Sequence, residues 1–199
     1  MKRLFKIAWD FIGAPLRMIL LPDSLSAKLG LTSLQEERIE AVLPYIRGEL
    51  LDIGAGDNRL VKSYPGKGTG VDIYDLGGGA LIVEDTRHLP FDADSFDTVT
   101  FVASLNHIAY RKEVLDEVYR LLRPDGRIII TMINPLMGKV GHFLWWYGED
   151  RKRPVDKGEV YGMFNSYIID LLRNSGFHVV KQSRFLYFLN NLIIAQKDV

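Results

Sequence analysis

The sequence predicts an α/β domain with a mostly parallel sheet and an antiparallel last strand. From about residue 34 onward, apolar strand-like segments alternate with helical patterns, which is typical of α/β folds. The last two strand-like segments, FHVVKQSR and NLIIAQK, are joined only by FLYFLN. Because parallel neighbours need a crossover of roughly a dozen residues or more, we expect this pair to form an antiparallel hairpin. A chain of 199 residues, 47% of them hydrophobic, can bury a single sizeable core.

Each predicted element has a local signal. Ser33 to Glu36 match a capping box, so a helix should begin there, and Pro44 should interrupt it late. The strands before the C-terminal pair read, in order, ELLDIG, GTGVDIY, ALIVED, FDTVTFVA and GRIIITM. Further helices are predicted after Gly56, between the fourth and fifth strands, and over residues 165–174, where Gly176 provides a C-cap.

Three connections define the expected organisation. Residues 124–126, PDG, should stop the helix after the fourth strand with a turn. The segment DIYDLGGG is too short for a crossover helix, so we expect one turn or an irregular loop there. Residues 134–163 exceed an ordinary loop and follow a strand, which favours a substrate lid. We therefore predict an N-terminal segment, 1–33, and one domain, 34–199, that contains this lid.

The N-terminal segment is amphipathic and allows two interpretations. Its polar stripe would consist of Lys2, Lys6, Asp10, Gly13 and Arg17, with Leu4, Phe5, Trp9, Phe11, Ile12 and Leu16 around the rest. Charges interrupt the apolar run and no small-residue cleavage site follows, so we expect neither a signal peptide nor a membrane span. Pro15 should kink or restart the helix. The helix either packs over the domain as a lid or makes a peripheral membrane contact through residues 1–22.

Composition excludes several classes of function. Formal net charge is zero and the sequence pI is about 6.9, so a nucleic acid is not the expected partner. Cysteine is absent, which excludes disulfides, thiolate metal sites and cysteine nucleophiles and suits a cytoplasmic setting. The four histidines, at 88, 107, 142 and 178, show no metal-ligand spacing, so no metal is predicted. Nothing in the sequence indicates an oligomeric state.

A glycine-rich turn follows the first strand in the stretch LLDIGAGDNRL. A dinucleotide fingerprint requires a third glycine, and Arg59 stands in that place, which counts against NAD or FAD. Asp52 is a carboxylate within an otherwise apolar strand. Such a charge is costly unless it is paired or faces a polar ligand, although it could also cap its own loop amides.

These residues resemble class I S-adenosylmethionine-dependent methyltransferases. The family's acidic-x-Gly-x-Gly motif is matched by Asp52, Gly54, Ala55 and Gly56, and LDEVYRLLRPDGRIIIT is similar to the later helix, turn and strand. The resemblance runs from about residue 48 to the end. It implies a Rossmann-like three-layer sandwich, a seven-stranded sheet with a reversed last strand, and S-adenosyl-L-methionine as cofactor.

The same resemblance assigns the remaining cofactor contacts. It implies that Asp72 accepts hydrogen bonds from the ribose hydroxyls and Ile73 lies beside the adenine, that Asp85 and Thr86 face the adenine amino group and ring, and that Ala103 lies beside the methionine portion. One bidentate carboxylate at a strand end also suits a pair of vicinal hydroxyls. The alternative for Asp72 is a turn-initiating aspartate.

The sequence signals for the residues that contact the methyl acceptor are less specific than those for the cofactor. His107 follows the fourth strand and is the candidate general base, unless it is a helix-start histidine that contacts cofactor or backbone. Within the lid, Tyr147, Glu149, Asp150 and Tyr161 are the candidate substrate contacts, although the lid's aromatics could instead seal a small core of their own. We expect methyl transfer to a small-molecule or lipid-like acceptor. A non-catalytic cofactor-binding module and an NAD(P)-dependent oxidoreductase are the alternatives.

Overall fold

The protein is described by a computed structural model over residues 2–13, 23–136, 138–139 and 158–198. Its helices are α1 (Lys2–Ile12), α2 (Asp23–Lys28), α3 (Leu34–Val42), α4 (Arg59–Ser63), α5 (Arg111–Leu121) and α6 (Asn165–Asn174). Its strands are β1 (Leu50–Ile53), β2 (Gly68–Asp72), β3 (Leu81–Ile82), β4 (Phe96–Val102), β5 (Leu122–Ile133), β6 (Phe177–Phe185) and β7 (Asn190–Lys197). Short 3₁₀ turns cover Leu43–Tyr45 and Leu105–His107.

The seven strands form one sheet in the order β3-β2-β1-β4-β5-β7-β6. Neighbouring strands from β3 to β5 pair in parallel, whereas β7 is antiparallel to both β5 and β6. The predicted fold class is therefore confirmed, including the C-terminal hairpin. That hairpin was predictable because its connection is too short to cross over the sheet.

Helices cover both faces of this sheet, which gives three layers. Side chains alternate along β5, so Ile128 and Ile130 face the core under α5 and α6, while Ile129 faces the core under α3 and α4. Both cores are apolar and their central residues are fully buried. The capping box at Ser33 is present as predicted, with reciprocal bonds between Ser33 and Glu36.

One predicted boundary was wrong. Helix α5 ends at Leu121, and residues 124–126 lie inside β5 rather than in a turn that ends the helix. Leu122 is fully buried and pairs with Phe96, so burial draws the chain into the sheet directly after the helix. The irregularity appears instead as a bulge, where the register shifts opposite Phe96 and Asp125 takes a φ of 62°.

The connection between β2 and β3 contains no helix, as predicted. A side chain at Gly78 would lie 2.1 Å from the backbone carbon of Asp57, so this loop packs closely against the turn that follows β1. Only glycine permits that approach. The loop thereby closes one side of the carboxyl edge of the sheet.

Helix α1 attaches to the domain through its polar stripe. Asp10 is 8% exposed and accepts hydrogen bonds from the backbone N–H and hydroxyl of Thr32, at 2.8 and 2.7 Å. The large apolar side chains of α1 are exposed instead. Pro15, Leu16 and Arg17 lie outside the described residues. Over the described part of the chain, no helix has the length and apolar character needed to cross a membrane.

Candidate cofactor and acceptor site

The sheet reverses its strand order beside β1. From β1 the chain proceeds to β2 on one side, and later returns to place β4 on the other side. In open α/β sheets, ligands bind in the crevice at the carboxyl ends of the strands at such a switch point. The glycine turn, Asp72 and Ala103 follow or end these three strands. The topology therefore brings the predicted cofactor residues to one edge.

The turn after β1 needs both of its glycines. Gly54 and Gly56 have φ values of 73° and 55°, which favour glycine. A side chain at Gly54 would lie 2.5 Å from Cβ of Ser104, whose hydroxyl donates to Ile53 O at 2.6 Å. At Gly56 the nearest atom to an added Cβ would be in Leu76, 3.9 Å away. The turn is thus supported from below by Ser104, and Gly56 leaves space above the backbone.

Asp72 joins the tip of β2 to this turn. One carboxylate oxygen accepts the N–H of Gly56 at 2.8 Å, and the other accepts the N–H of Tyr74 at 3.0 Å. A carboxylate offers about four acceptor positions, so roughly two remain, one on each oxygen. That arrangement suits two vicinal hydroxyl donors. Asp72 also initiates a local turn through Tyr74, so the turn-initiating alternative describes the same residue rather than excluding ligand binding.

Asp52 is buried in β1 and is held by its neighbour in β4. Asp52 and Thr100 are register partners, and the Thr100 hydroxyl donates to the carboxylate at 2.6 Å. Burial raises the pKa of Asp52 to about 7, because desolvation and the nearby Asp72 outweigh the hydrogen bond from Thr100. In the described residues this carboxylate does not cap the loop amides of its own turn. The site thus contains an acid that titrates near neutrality.

The other predicted cofactor residues lie around the same edge. Ala55 is buried within the turn, and Ile73 is exposed directly after β2. Asp85 and Thr86 follow β3 and are half-buried. Both oxygens of Asp85 are engaged by Arg87, at 2.6 to 3.0 Å, and this bonding holds the pKa of the carboxyl below its usual value. The adenine contact inferred for Asp85 stays a prediction.

Ala103 leaves β4 with a φ of 55°, which is uncommon for a residue with a side chain. Its N–H donates to the hydroxyl and the carbonyl of Thr131 in β5, at 3.1 and 3.2 Å. The sheet therefore holds this conformation. Backbone strain of this kind concentrates at functional sites, which fits the predicted position of Ala103 beside the cofactor.

His107 lies in the 3₁₀ turn after β4, and two polar side chains of the described residues contact its ring. Asn106 Nδ2 is 3.1 Å from Nε2, and Glu159 Oε2 is 3.2 Å from Nδ1. An amide nitrogen only donates, so Nε2 accepts, and in the neutral ring Nδ1 carries the proton and donates to Glu159. Glu159 is almost completely buried, with its side chain 8% exposed. This pair fixes the tautomer that leaves the basic lone pair on Nε2.

The two described ends of the predicted lid meet at the carboxyl ends of β4 and β5. Val160 N–H donates to Asn106 O at 3.0 Å, and Met163 N–H donates to Ile133 O at 3.2 Å. The buried guanidinium of Arg111 donates to the Gly158 carbonyl at 2.8 Å. Tyr161 is exposed here. The candidate contacts Tyr147, Glu149 and Asp150 lie outside the described residues, so only Tyr161 among the four is placed.

Four residues that support the site were not predicted from the sequence: Thr100, Ser104, Arg111 and Glu159. Each acts through a partner on another element, so no local pattern marks it. Thr100 could have been found only from the β1–β4 register. In the described part of the chain, no group of three His, Asp or Glu side chains is placed to hold a metal ion.

Together, the switch point, the glycine turn and the acid at the tip of β2 are typical of nucleoside-binding α/β proteins. Comparison with known proteins narrows this class. Residues 51–130 match the family model described as a methyltransferase domain. Over 105 residues the chain is 33% identical to demethylmenaquinone methyltransferase from Clavibacter sepedonicus, an alignment that covers 45% of this chain and 43% of that protein. The chain thus spans less than half of that relative.

Solved structures agree in fold. A SAM-dependent methyltransferase from Thermotoga maritima superposes with a TM-score of 0.63 at 19% identity, over 82% of this chain and 89% of that one. The 1,6-didemethyltoxoflavin-N1-methyltransferase of Burkholderia thailandensis, solved with its substrate and S-adenosylhomocysteine, superposes with a TM-score of 0.61 at 18% identity, over 100% of this chain and 90% of that one.

The domain match over residues 51–130 and the shared fold support a class I S-adenosylmethionine-dependent methyltransferase with S-adenosylmethionine as cofactor. The residues present fit this group. Asp72 retains acceptor capacity for a diol, Gly56 leaves room above the turn, and Ile73 offers an exposed apolar side chain. Nothing in these matches supports the oxidoreductase alternative.

Proposed function

We propose that this protein transfers a methyl group from S-adenosylmethionine to a small, lipid-like acceptor of the quinone class, in its reduced quinol form. The main support for methyl transfer is the bonding of Asp72. Its carboxylate at the end of β2 accepts the Gly56 N–H and keeps acceptor positions for the ribose hydroxyls of the cofactor. The acceptor class is supported by the relative from Clavibacter sepedonicus, whose name specifies a demethylmenaquinone. The absence of a basic charge balance also favours a small molecule over a nucleic acid.

The bound cofactor supplies a sulfonium methyl that is already a good electrophile. The chain therefore has to align the acceptor, exclude water and, for a phenol or carbon acid, take up a proton. We assign alignment to the segment that contains Gly158 and Tyr161, because it lies across the carboxyl ends of β4 and β5 and is tied there by Arg111. Tyr147, Glu149 and Asp150 are further proposed acceptor contacts.

His107 is the proposed base and acts through Nε2. Glu159 accepts from Nδ1, so a proton arriving at Nε2 gives an imidazolium beside a buried carboxylate, which stabilises that charge. Asn106 donates to Nε2 in the structure, so an acceptor hydroxyl has to replace the Asn106 amide before proton transfer. The mechanism places His107 as the catalytic residue and Glu159 as a positioning residue.

The test compares two histidine variants in a methyl-transfer assay. Radiolabelled S-adenosylmethionine is incubated with a short-chain demethylated quinol, kept reduced by excess dithionite, and extracted product is counted. His107→Gln should lower kcat by about 100-fold or more, the range for general acid–base catalysis, while S-adenosylhomocysteine affinity stays unchanged. His178→Gln is the matched control, because His178 lies on β6 and pairs with Asp198.

Two results would contradict the proposal. An unchanged kcat in His107→Gln would show that His107 is not the general base. Tight S-adenosylhomocysteine binding without transfer to any quinol would favour the non-catalytic cofactor-binding alternative.

A further inference from the structure

Helix α1 presents its apolar side to solvent. Six large apolar side chains in this helix are exposed, by 44% to 74%: Leu4, Phe5, Ile7, Trp9, Phe11 and Ile12. In a soluble amphipathic helix the apolar stripe normally faces the core. Here the orientation is inverted, and an exposed apolar surface of this kind marks an interaction site.

The inverted orientation is held by specific bonds. Thr32 donates twice to Asp10, and Lys6 Nζ donates to Thr32 Oγ1 at 2.7 Å and to Asp10 at 3.3 Å. Trp9 Nε1 donates to the Leu29 carbonyl at 3.0 Å. Rolling the helix to bury its apolar side would break all of these bonds and expose the buried carboxylate of Asp10. The exposed side is therefore a stable feature of the fold.

A second element extends this surface. The turn between β6 and β7 carries Leu186, Tyr187 and Phe188 at φ values of 51°, 55° and 67°, an unusual conformation for residues with side chains. The Tyr187 ring packs edge-on against Phe11 with centroids 5.8 Å apart, and Phe188 is 74% exposed. We call the exposed apolar side chains of α1 together with Tyr187 and Phe188 the apolar platform.

Charge in the surrounding segment selects an anionic partner. Residues 1–22 contain four basic residues and one acidic residue, although the whole chain has no net charge. The acidic one, Asp10, faces inward and pairs with Lys6, so Lys2, Arg3 and Arg17 supply the remaining positive charge. A symmetric dimer through this face would bring the same basic segments together, which is unfavourable. Apolar helices with basic residues and interfacial Trp and Tyr side chains bind anionic lipid surfaces.

We propose that the apolar platform docks the protein on a bilayer that contains anionic phospholipids. Helix α1 lies in the plane of the interface, and Phe188 inserts beside it. This inference does not depend on methyl transfer, so it can fail while the proposed function stands, and the reverse. It would place a lipid-like acceptor and the enzyme at the same surface.

Co-sedimentation with vesicles tests the platform. The full chain is mixed with vesicles of phosphatidylcholine alone or of equal parts phosphatidylcholine and phosphatidylglycerol. Wild type should sediment with the anionic vesicles, and less at high salt. Phe5→Gln/Ile12→Gln should lower the partition coefficient by roughly tenfold or more, since glutamine keeps helix propensity and removes apolar contact. Tyr167→Gln/Val180→Gln is the control, because both side chains are exposed elsewhere.

A second variant keeps the test valid if the helix double variant misfolds. Phe188→Asn lies outside α1, and asparagine tolerates the positive φ of that position. It should lower partitioning by about threefold or more. Three results would overturn the proposal: wild type that stays in the supernatant with both vesicles, folded platform variants that sediment like wild type, or a wild-type dimer that the variants convert to monomers.

Discussion

Two buried aspartates, Asp10 and Asp52, have pKa values that are shifted in opposite directions. Asp10 anchors α1 and is 8% exposed, and Asp52 sits in β1 and is 3% exposed. Burial raises the pKa of both, yet hydrogen bonds from Thr32 and Lys6 lower the pKa of Asp10 below its usual value. Asp52 has one donor, Thr100, in the described part of the chain, and its pKa rises to about 7.

The difference separates a structural carboxylate from one in a ligand site. A carboxylate whose acceptor positions are filled by the protein stabilises the fold and needs nothing further. One with acceptor positions left over, placed at a strand end in a switch-point crevice, is costly until a ligand completes its bonding. Asp52 and Asp72 belong to the second kind, and Asp10 and Asp85 belong to the first.

The largest effect is expected at Asp72. Asp72→Ala should weaken S-adenosylhomocysteine binding by about 1000-fold or more, roughly 4 kcal/mol, because two charge-assisted hydrogen bonds to a diol are lost. Isothermal titration calorimetry gives the dissociation constant. Asp72→Asn keeps one acceptor oxygen, so its dissociation constant should lie between those of wild type and Asp72→Ala. Asp116→Ala, an exposed acid on α5, is the control. A loss under threefold in Asp72→Ala would assign Asp72 to the structural kind.

Asp52 should make stability depend on pH in the opposite sense from an ordinary buried ion pair. Its folded pKa of about 7 lies above the ordinary value of 3.8 for an aspartate, so the folded state keeps the carboxyl proton to higher pH. As pH rises from about 4 to about 7, the folded state loses stability, up to roughly 4 kcal/mol in total. Asp52→Asn should match wild type near pH 4 and be more stable at pH 8, as measured by urea unfolding.

One outcome would contradict a raised pKa at Asp52. If the difference in unfolding free energy between wild type and Asp52→Asn is constant from pH 4 to pH 8, the carboxylate is ionised throughout. Asp52 would then join Asp10 as a satisfied group. Asp116→Asn should leave the pH profile of wild type unchanged, because that side chain is exposed.

Sequence patterns predicted the features that depend on neighbouring residues, whereas the contacts between separate elements could be seen only in the folded topology. The glycine turn, Asp72 and the hairpin follow from spacing and connection length, so the fold class and one edge of the site were predictable. The bond between Thr100 and Asp52 requires knowing that β4 lies beside β1. Glu159 reaches His107 from a separate segment. For α1, periodicity reveals two faces but not which one packs inward, since that is decided by Thr32 and Leu29.

A smaller effect is expected at Asp10. Asp10→Ala should lower the local stability of α1 by about 2 to 3 kcal/mol, because the bonds from Thr32 to a charged acceptor are lost. Hydrogen exchange of the α1 amides measures this directly, and Asp10→Asn should cost less. Since the pKa of Asp10 is lowered, its contribution is present above pH 3.8 and is lost as pH falls through the folded pKa. Unchanged exchange in Asp10→Ala would show that other contacts hold the helix.

The smallest effect is expected at Asp85, although the family resemblance assigns it an adenine contact. Arg87 engages both carboxylate oxygens and also lies over the Tyr110 ring, 4.3 Å from its centroid. An adenine amino group would have to compete with that guanidinium, so little net binding energy is gained. Asp85→Asn should weaken S-adenosylhomocysteine by less than about tenfold, or 1.4 kcal/mol. A loss as large as that of Asp72→Ala would mean that Arg87 releases Asp85 on binding, and the division between filled and open carboxylates would then apply only to the free protein.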